Sequence, residues 1–161
     1  MNQAANQTQQ DIRGVMISVT GGRVLLPNAS IAEVITFAEP EPMPNAPSWL
    51  LGRVRWRGWR LPLVSFARLA GYADEEGELG AKVVVLKALG ANPRMPFFAL
   101  LTQGFPRLTT VSREVLLESG GMELRPGVLM DVLLRDDAAA IPDLAAIEAQ
   151  LIDALTVAEA A

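Results

Sequence analysis

The clearest pattern along the chain lies between Ser48 and Phe66, where apolar and polar residues alternate. Alternation with a period of two is typical of a half-buried β-strand. Gly58, inside this stretch, permits a tight turn. We therefore predict a β-hairpin whose inner face consists of Val54, Trp56, Leu61 and Leu63. Pro62 interrupts the second strand, which favours an edge or a bulge at that point.

Further short apolar runs, separated by glycine, proline and aspartate, predict strands on both sides of this hairpin. They cover residues 14–20, 23–26, 82–89, 95–102, 108–111, 128–134 and 138–141. Gly21-Gly22 and Asp136-Asp137 are turn signals inside two of the resulting hairpins. Many short strands with glycine turns indicate small barrels rather than a parallel sheet. We therefore predict a mainly β protein of two barrel-like subdomains.

A few segments have helical features instead. Asn28 is a favoured N-cap residue, and the apolar residues after it fall at helical spacing, so we predict a short helix from residue 28 to residue 35. Helical turns are expected over 66–71 and 112–117. Apolar residues at helical spacing also predict an amphipathic helix over 143–155, with Asp143 as its cap.

The domain boundaries follow from polar and acidic segments. Residues 1–10 are rich in Gln and Asn and lack periodicity, which predicts a disordered tail. Residues 73–80 form an acidic connector that contains glycine, and we place the boundary between two halves there. The single domain, 11–161, would then consist of one barrel from about 11–72 plus part of the C-terminal segment, a second barrel from 80–142, and the helix at 143–155.

Composition limits the chemistry that the chain can perform. The 161 residues are 50% hydrophobic, which argues against disorder, and they include neither Cys nor His. Disulfides, thiol nucleophiles and every imidazole-based catalytic triad are therefore excluded. The only lysines, Lys82 and Lys87, lie in a strand-like run without neighbours that would activate them. We predict a protein that is not an enzyme and needs no cofactor or metal.

Charge and terminal sequence bear on partners and location. The formal charge of −4 opposes general nucleic-acid binding. Four arginines nevertheless cluster in the hairpin, at Arg53, Arg55, Arg57 and Arg60, and a solvated strand face is the commoner reason for such a cluster. The amino terminus lacks the features of a signal peptide, and no apolar run approaches the length of a membrane span. We therefore expect a soluble, cytoplasmic protein without membrane insertion.

The segment from Gly52 to Val64 has the form G-x-V-x-W-R-G-x-x-L-P-L-V and follows a crossing bounded by prolines. It resembles the CheW-like domain, the adaptor fold of bacterial chemotaxis signalling. The segment IAEVI at residues 31–35 is similar to the V-x-E-I segment of that family, and the resemblance covers nearly the whole chain. It implies two five-stranded, SH3-like barrels with a groove between them. It also places Glu33 and Arg57 on positions where the family pattern has an acid and an arginine.

The resemblance implies a non-catalytic adaptor that binds the cytoplasmic tip of a chemoreceptor and the regulatory domain of a CheA-type histidine kinase. We expect Glu33 and Arg57 to form an ion pair, and Trp59, beside the turn, to be an exposed interface anchor. Four apolar residues could line a groove for a receptor helix: Ile31, Val34, Leu101 and Phe105. For any single one of these four, plain core packing is the commoner outcome.

The chain departs from the family pattern at three positions. Ser65 stands where the family commonly has Asp, and Gln103 and Arg107 stand where it often has acids. With the bulky Trp56 and Trp59 in the hairpin and an alanine-rich last strand, these departures favour a divergent adaptor, such as one from a type IV pilus chemosensory system.

Two other classes of function remain open at this level. A small-barrel nucleic-acid binder could use Arg53, Arg55, Arg57 and Trp59 as a surface for phosphates and stacked bases, although the acidic balance opposes it. A carboxylate-dependent hydrolase would have to use Asp131, Asp136 and Asp137. Turn formation explains the latter pair better than catalysis does.

Overall fold

The structure, a computed structural model, describes residues 11–90, 92–120 and 125–160. The strands within these ranges are β1 (Ile12–Val19), β2 (Gly22–Pro27), β3 (Ile31–Thr36), β4 (Leu50–Trp56), β5 (Trp59–Val64), β6 (Lys82–Lys87), β7 (Phe97–Thr102), β8 (Arg107–Val111), β9 (Leu116–Glu118), β10 (Val128–Leu134) and β11 (Asp137–Pro142). The α-helices are α1 (Phe66–Leu69) and α2 (Leu144–Ala160). The tail predicted over residues 1–10 lies outside the described residues.

The described strands form two sheets, which confirms the predicted mainly β fold with two SH3-like subdomains. The first sheet has six strands in the order β8-β1-β2-β11-β10-β9, and the second has five in the order β3-β6-β7-β5-β4. Neighbours pair antiparallel except β2 with β11 and β5 with β7, which are parallel. The backbone after β3 also bridges β4, through Glu41 and Arg53, and so begins to close the second sheet into a barrel.

The two sheets do not follow the division that we expected at residues 73–80. The second sheet is built from the continuous segment 31–102, which includes β6 and β7, the first two strands beyond the connector. The first sheet combines residues 12–27 with residues 107–142. The reason is pairing between distant strands: β1 lies beside β8, and β2 lies beside β11. The first hairpin therefore belongs with the last one, and the boundary expected at the connector is wrong.

The core has three parts. A central cluster lies between the sheets and includes residues of both, of α1 and of α2, among them Ile17, Leu26, Phe66, Leu86, Leu100, Ile147 and Leu151. A smaller cluster fills the second sheet, with Val54, Leu61, Leu63, Val83, Val85 and Leu101 among its members. A third belongs to the first sheet, with Met16, Leu25, Val132 and Leu134. Each subdomain thus has its own core and shares the central one.

The helix predicted from residue 28 to residue 35 is wrong. Residues 28–30 form a single 3₁₀ turn, and Ile31–Thr36 is strand β3, which pairs with β6. A β-bulge between Ile31 and Glu33 inserts one extra residue. Because of it, Ile31 and Val34, three residues apart, both pack on the central cluster. The bulge therefore produces the spacing that resembles a helix.

The helical turn predicted over 112–117 is also only partly present. A turn covers residues 113–115, and the chain then enters strand β9, which pairs with β10. The last helix does form, with the Ala146 backbone N–H donating to Asp143 Oδ1 at 3.1 Å, and it extends to Ala160. Pairing of β9 with β10 therefore ends the helical turn early, whereas the cap at Asp143 begins a helix as predicted.

The hairpin between Ser48 and Phe66 is present as β4 and β5. Its predicted inner face packs in the second-sheet cluster, with Trp56 partly buried and the other three residues buried. β5 is not an edge strand, since it lies between β4 and β7. It pairs with β7 only at Leu63 and Val64, so Pro62 lies outside that ladder. This limited pairing explains how a proline is accommodated inside the sheet.

Candidate partner-binding surface

The ion pair that we expected between Glu33 and Arg57 is present at the tip of the hairpin. Arg57 donates from Nη2 and Nε to Glu33 Oε1, at 2.7 and 3.1 Å. The Arg57 side chain is 71% exposed and that of Glu33 36% exposed. Exposed ion pairs typically contribute only about 0–1 kcal/mol to stability. Because most of the Arg57 side chain is exposed, its guanidinium remains accessible to another molecule.

The backbone of Arg57 is in an unusual conformation. Its φ is 48°, and Gly58, the other central residue of the turn, has φ 82°. Positive φ at both positions is the geometry of a type I′ turn, which favours Asn-Gly and Gly-Gly. A residue with a long side chain in this region costs about 1–2 kcal/mol relative to its ordinary conformation. This chain therefore has an arginine where asparagine or glycine would fit with less strain.

Three aromatic rings lie next to this arginine. Trp56 and Trp59 both contact Phe97 edge to face, with ring centroids 4.9 and 6.3 Å apart. The Arg57 guanidinium lies 5.3 Å from the centre of the Trp56 ring, within cation–π range. Trp59 is 40% exposed, so the expectation that it is accessible agrees with the structure. We call Glu33, Trp56, Arg57, Trp59 and Phe97 the hairpin-tip surface.

The other predicted interface residues are not all on that surface. Ile31 and Val34 are half-buried against the central cluster. Leu101 is fully buried in the second-sheet cluster, so it packs in the core and cannot line an open groove. Phe105 is 75% exposed, and the Lys82 ammonium lies 4.5 Å from the centre of its ring. Lys82 begins β6 whereas Glu33 pairs with Val85, three residues further along, so Phe105 lies away from the hairpin tip.

The arginines on the outer face of the hairpin are paired with acids. Arg53 lies 3.5 Å from Glu159, and Arg55 and Arg60 both bind Glu41. The hydrogen bond and charge of Arg60 lower the pKa of Glu41 below its ordinary value, and Arg55 adds to this effect. Phosphate binding depends on net positive charge at the surface. Glu41 and Glu159 offset most of the charge of these three arginines, which weighs against the nucleic-acid alternative.

Glu75, in the acidic connector, is fully buried, and the sequence patterns did not identify it. Its carboxylate accepts hydrogen bonds from the Ser65 hydroxyl at 2.7 Å, the Thr20 backbone N–H at 2.8 Å and the Gln103 amide at 3.2 Å. Two of these donors, Ser65 and Gln103, are positions where the chain departs from the family pattern. The connector thus supplies a carboxylate to residues that would carry acids in that pattern, and it links the two sheets.

The acids considered for a hydrolase are not assembled into a site. Asp137 ends the β10–β11 turn and lies 3.9 Å from Arg23, whereas Asp131 lies within β10, opposite Ala140. Among residues 11–90, 92–120 and 125–160, no three acidic side chains are grouped so that they could hold a metal ion. In the same ranges, no helix is both long and apolar enough to cross a membrane.

The fold and this surface define a two-subdomain β protein whose exposed, strained arginine and neighbouring aromatics suit contact with another protein. The sequence matches the CheW-like domain over residues 13–150. The chain therefore belongs to the CheW-like domain family. No curated protein sequence matches the chain. The structure is similar to the scaffolding protein TtCheW from Thermoanaerobacter tengcongensis, with a TM-score of 0.69 and 14% identity over 84% of this chain and 86% of that one.

Proposed function

We propose that this protein is a cytoplasmic, non-catalytic adaptor that couples chemoreceptors to a CheA-type histidine kinase through the hairpin-tip surface. Membership of the CheW-like family supports the general role. The observation that carries the assignment to this surface is Arg57, which is 71% exposed, paired with Glu33 and held at φ 48° beside the exposed Trp59. Backbone strain of this kind clusters at active sites, ligand clamps and switch regions. Tryptophan and arginine are also the residues most enriched in interface hot spots.

The experiment measures binding of the full chain, separately, to the regulatory domain of a CheA-type kinase and to the tip hairpin of a chemoreceptor, by isothermal titration calorimetry. Arg57→Asn removes the guanidinium and installs a residue that favours the type I′ turn. We expect at least one partner to bind about tenfold more weakly, equivalent to about 1.4 kcal/mol, while thermal stability is unchanged or slightly higher. Trp59→Ala should weaken the same partner by a similar factor.

The matched control is Arg113→Asn, an exposed arginine in the turn before β9. It makes the same chemical change in the other sheet and should leave both affinities unchanged. Failure of both partners to bind the unmodified chain would overturn the adaptor proposal. Binding by both partners that neither Arg57→Asn nor Trp59→Ala alters would overturn the assignment to the hairpin-tip surface alone.

The system that the adaptor serves is a second part of the proposal. The departures at Ser65 and Gln103, and the replacement acid Glu75, support a divergent adaptor of the kind that serves type IV pilus motility. Deleting its gene should then abolish twitching on a surface and leave swimming unaffected. Loss of swimming with normal twitching would assign the protein to flagellar chemotaxis instead.

A further inference from the structure

A second, smaller feature lies beside the C-terminal helix. A groove of about 190 Å³ separates β5 and the segment 92–97 from the last turns of α2. We call it the helix groove, and the residues that define it are Trp59, Arg60, Arg94, Phe97, Ile152 and Thr156. It reaches the hairpin-tip surface at Trp59 and Phe97, but it contains neither Glu33 nor Arg57.

The size of the helix groove limits what it can hold. Sites for cofactors and drug-sized ligands typically occupy about 300–1,000 Å³. A groove of about 190 Å³ is smaller than that and fits a single large side chain. Two of its walls carry exposed apolar residues, since Trp59 is 40% and Ile152 37% exposed. An apolar side chain inserted between them would remove this surface from water.

The rim of the groove carries positive charge. Arg53, Arg60 and Arg94 line it, against a single acid, Glu159. Arg53 and Arg60 have carboxylate partners, in Glu159 and Glu41, whereas the described residues offer Arg94 no acidic side chain within ion-pairing distance. In a chain with a net charge of −4, this is a local excess of the opposite sign. Complementary charge selects an acidic partner and speeds its association.

The segment that carries Arg94 is fixed at several points. Glu148 of α2, only 5% exposed, accepts hydrogen bonds from the backbone N–H groups of Leu89 and Gly90 at 2.7 and 2.8 Å. Asn92 Oδ1 accepts the Arg94 backbone N–H at 3.0 Å, and Met95 is buried. A partner would therefore meet an arginine whose backbone is already positioned, which lowers the entropic cost of binding.

We propose that the helix groove binds an acidic segment of a partner protein, which inserts one apolar side chain between Trp59 and α2 and places a carboxylate beside Arg94. The inference goes beyond the adaptor function, because it requires neither the receptor nor the kinase to be that partner. The ligand is a protein segment rather than a free anion, because the groove combines an apolar wall with the cationic rim and a free anion would contact only the rim.

The test uses the full chain and a fluorescein-labelled nonapeptide with four aspartates on each side of a central leucine, followed by fluorescence anisotropy. We expect saturable binding with a Kd below about 1 mM that weakens as NaCl is added. Replacing the central leucine with alanine should weaken binding about fivefold or more, and replacing the aspartates with lysines should abolish it.

Protein variants locate the site. Arg94→Glu should weaken peptide binding about tenfold or more, and Ile152→Glu, on the opposite wall, should do the same. Arg113→Glu makes the same charge change as Arg94→Glu in the other sheet and should alter the Kd by less than about twofold. Circular dichroism checks that each variant is folded, and the two groove variants test the site independently.

Several results would overturn the proposal. These are a Kd above about 1 mM, equal weakening by Arg94→Glu and Arg113→Glu, or a leucine that can be replaced without effect. Displacement of the peptide by inorganic pyrophosphate at a similar concentration would show that the rim binds free anions rather than a protein segment. None of these results depends on whether the hairpin-tip surface binds a receptor or a kinase, so the two proposals fail separately.

Discussion

Glu33 and Glu75 are two hydrogen-bonded glutamates in opposite environments. Glu33 is 36% exposed and binds one partner, the exposed side chain of Arg57. Glu75 is fully buried and accepts hydrogen bonds from three groups that arrive from different parts of the chain. Surface ion pairs contribute little because water competes for both partners, whereas a buried carboxylate without its donors is costly. The difference teaches that the ion pair at the hairpin tip contributes little to stability, whereas the buried acid of the connector contributes much more.

The largest effect on stability is expected when the buried acid, Glu75, is removed. Glu75→Ala leaves the Ser65 hydroxyl and the Thr20 N–H without their acceptor, whereas the Gln103 amide keeps its hydrogen bond to the Glu76 carbonyl. We therefore expect a loss of about 3 kcal/mol in the free energy of unfolding. Chemical denaturation with urea measures it. Glu33→Ala, the matched change at the surface, should cost less than about 1 kcal/mol. Similar losses in the two variants would contradict the distinction.

A smaller effect is expected at Glu148, which accepts the backbone N–H groups of Leu89 and Gly90. Glu148→Ala removes two hydrogen bonds to a charged acceptor, and we expect a loss of about 2 kcal/mol. Glu159→Ala, on the same helix but 62% exposed, is the control and should change stability by less than about 0.5 kcal/mol. Urea denaturation of the two variants side by side tests the role of burial within one helix.

The contrast can be sharpened by measuring the surface pair itself. A double-mutant cycle of Glu33→Gln and Arg57→Gln should give a coupling energy of about 0–1 kcal/mol, reduced further at high NaCl. Thermal unfolding of the four proteins at low and high salt provides the values. A coupling energy as large as the loss in Glu75→Ala would mean that the ion pair stabilises the fold. The strained backbone of Arg57 would then no longer support a role in binding.

The smallest effect is a dependence of stability on pH at Glu41. Arg60 and Arg55 depress the pKa of this exposed acid in the folded state, below its ordinary value of 4.5. The unfolded chain therefore binds the proton more readily, and the stabilisation is present above that value and is lost as pH falls below it. In Glu41→Gln, stability should decline slightly less between about pH 5 and pH 3. Unfolding curves across this range check the sign.

The hairpins were predictable from sequence because their signals are local. Alternation and a glycine at the turn identified the strands on either side of Gly58. Gly21-Gly22 and Asp136-Asp137 marked the turns of two other hairpins. The bulge in β3 was not predictable, since one inserted residue turns a strand pattern into helical spacing. The pairing of β2 with β11 was missed as well, because apolar residues on a buried strand do not specify a distant partner.

Some residues of the candidate site were predictable from the sequence and others were not. The pair of Glu33 and Arg57 followed from a family resemblance, and the exposure of Trp59 followed from its place beside a turn. Leu101 was misplaced because an apolar residue at the end of a strand has the same appearance whether it lines a groove or fills a core. Glu75 was missed since an acid among acids in a connector is most often solvated. Only its three donors, from positions 20, 65 and 103, distinguish it.

The order in which the strands leave the ribosome follows from how the two sheets divide the chain. All the strands of the second sheet are available once residue 102 has been made, so this half can assemble early. The first hairpin, β1–β2, is made before it but must wait for β8 and β11, and both of its edges stay open in the meantime. Open edges pair readily with other chains. The period before residue 142 is synthesised is therefore when the open strand edges most expose nascent chains of this protein to aggregation.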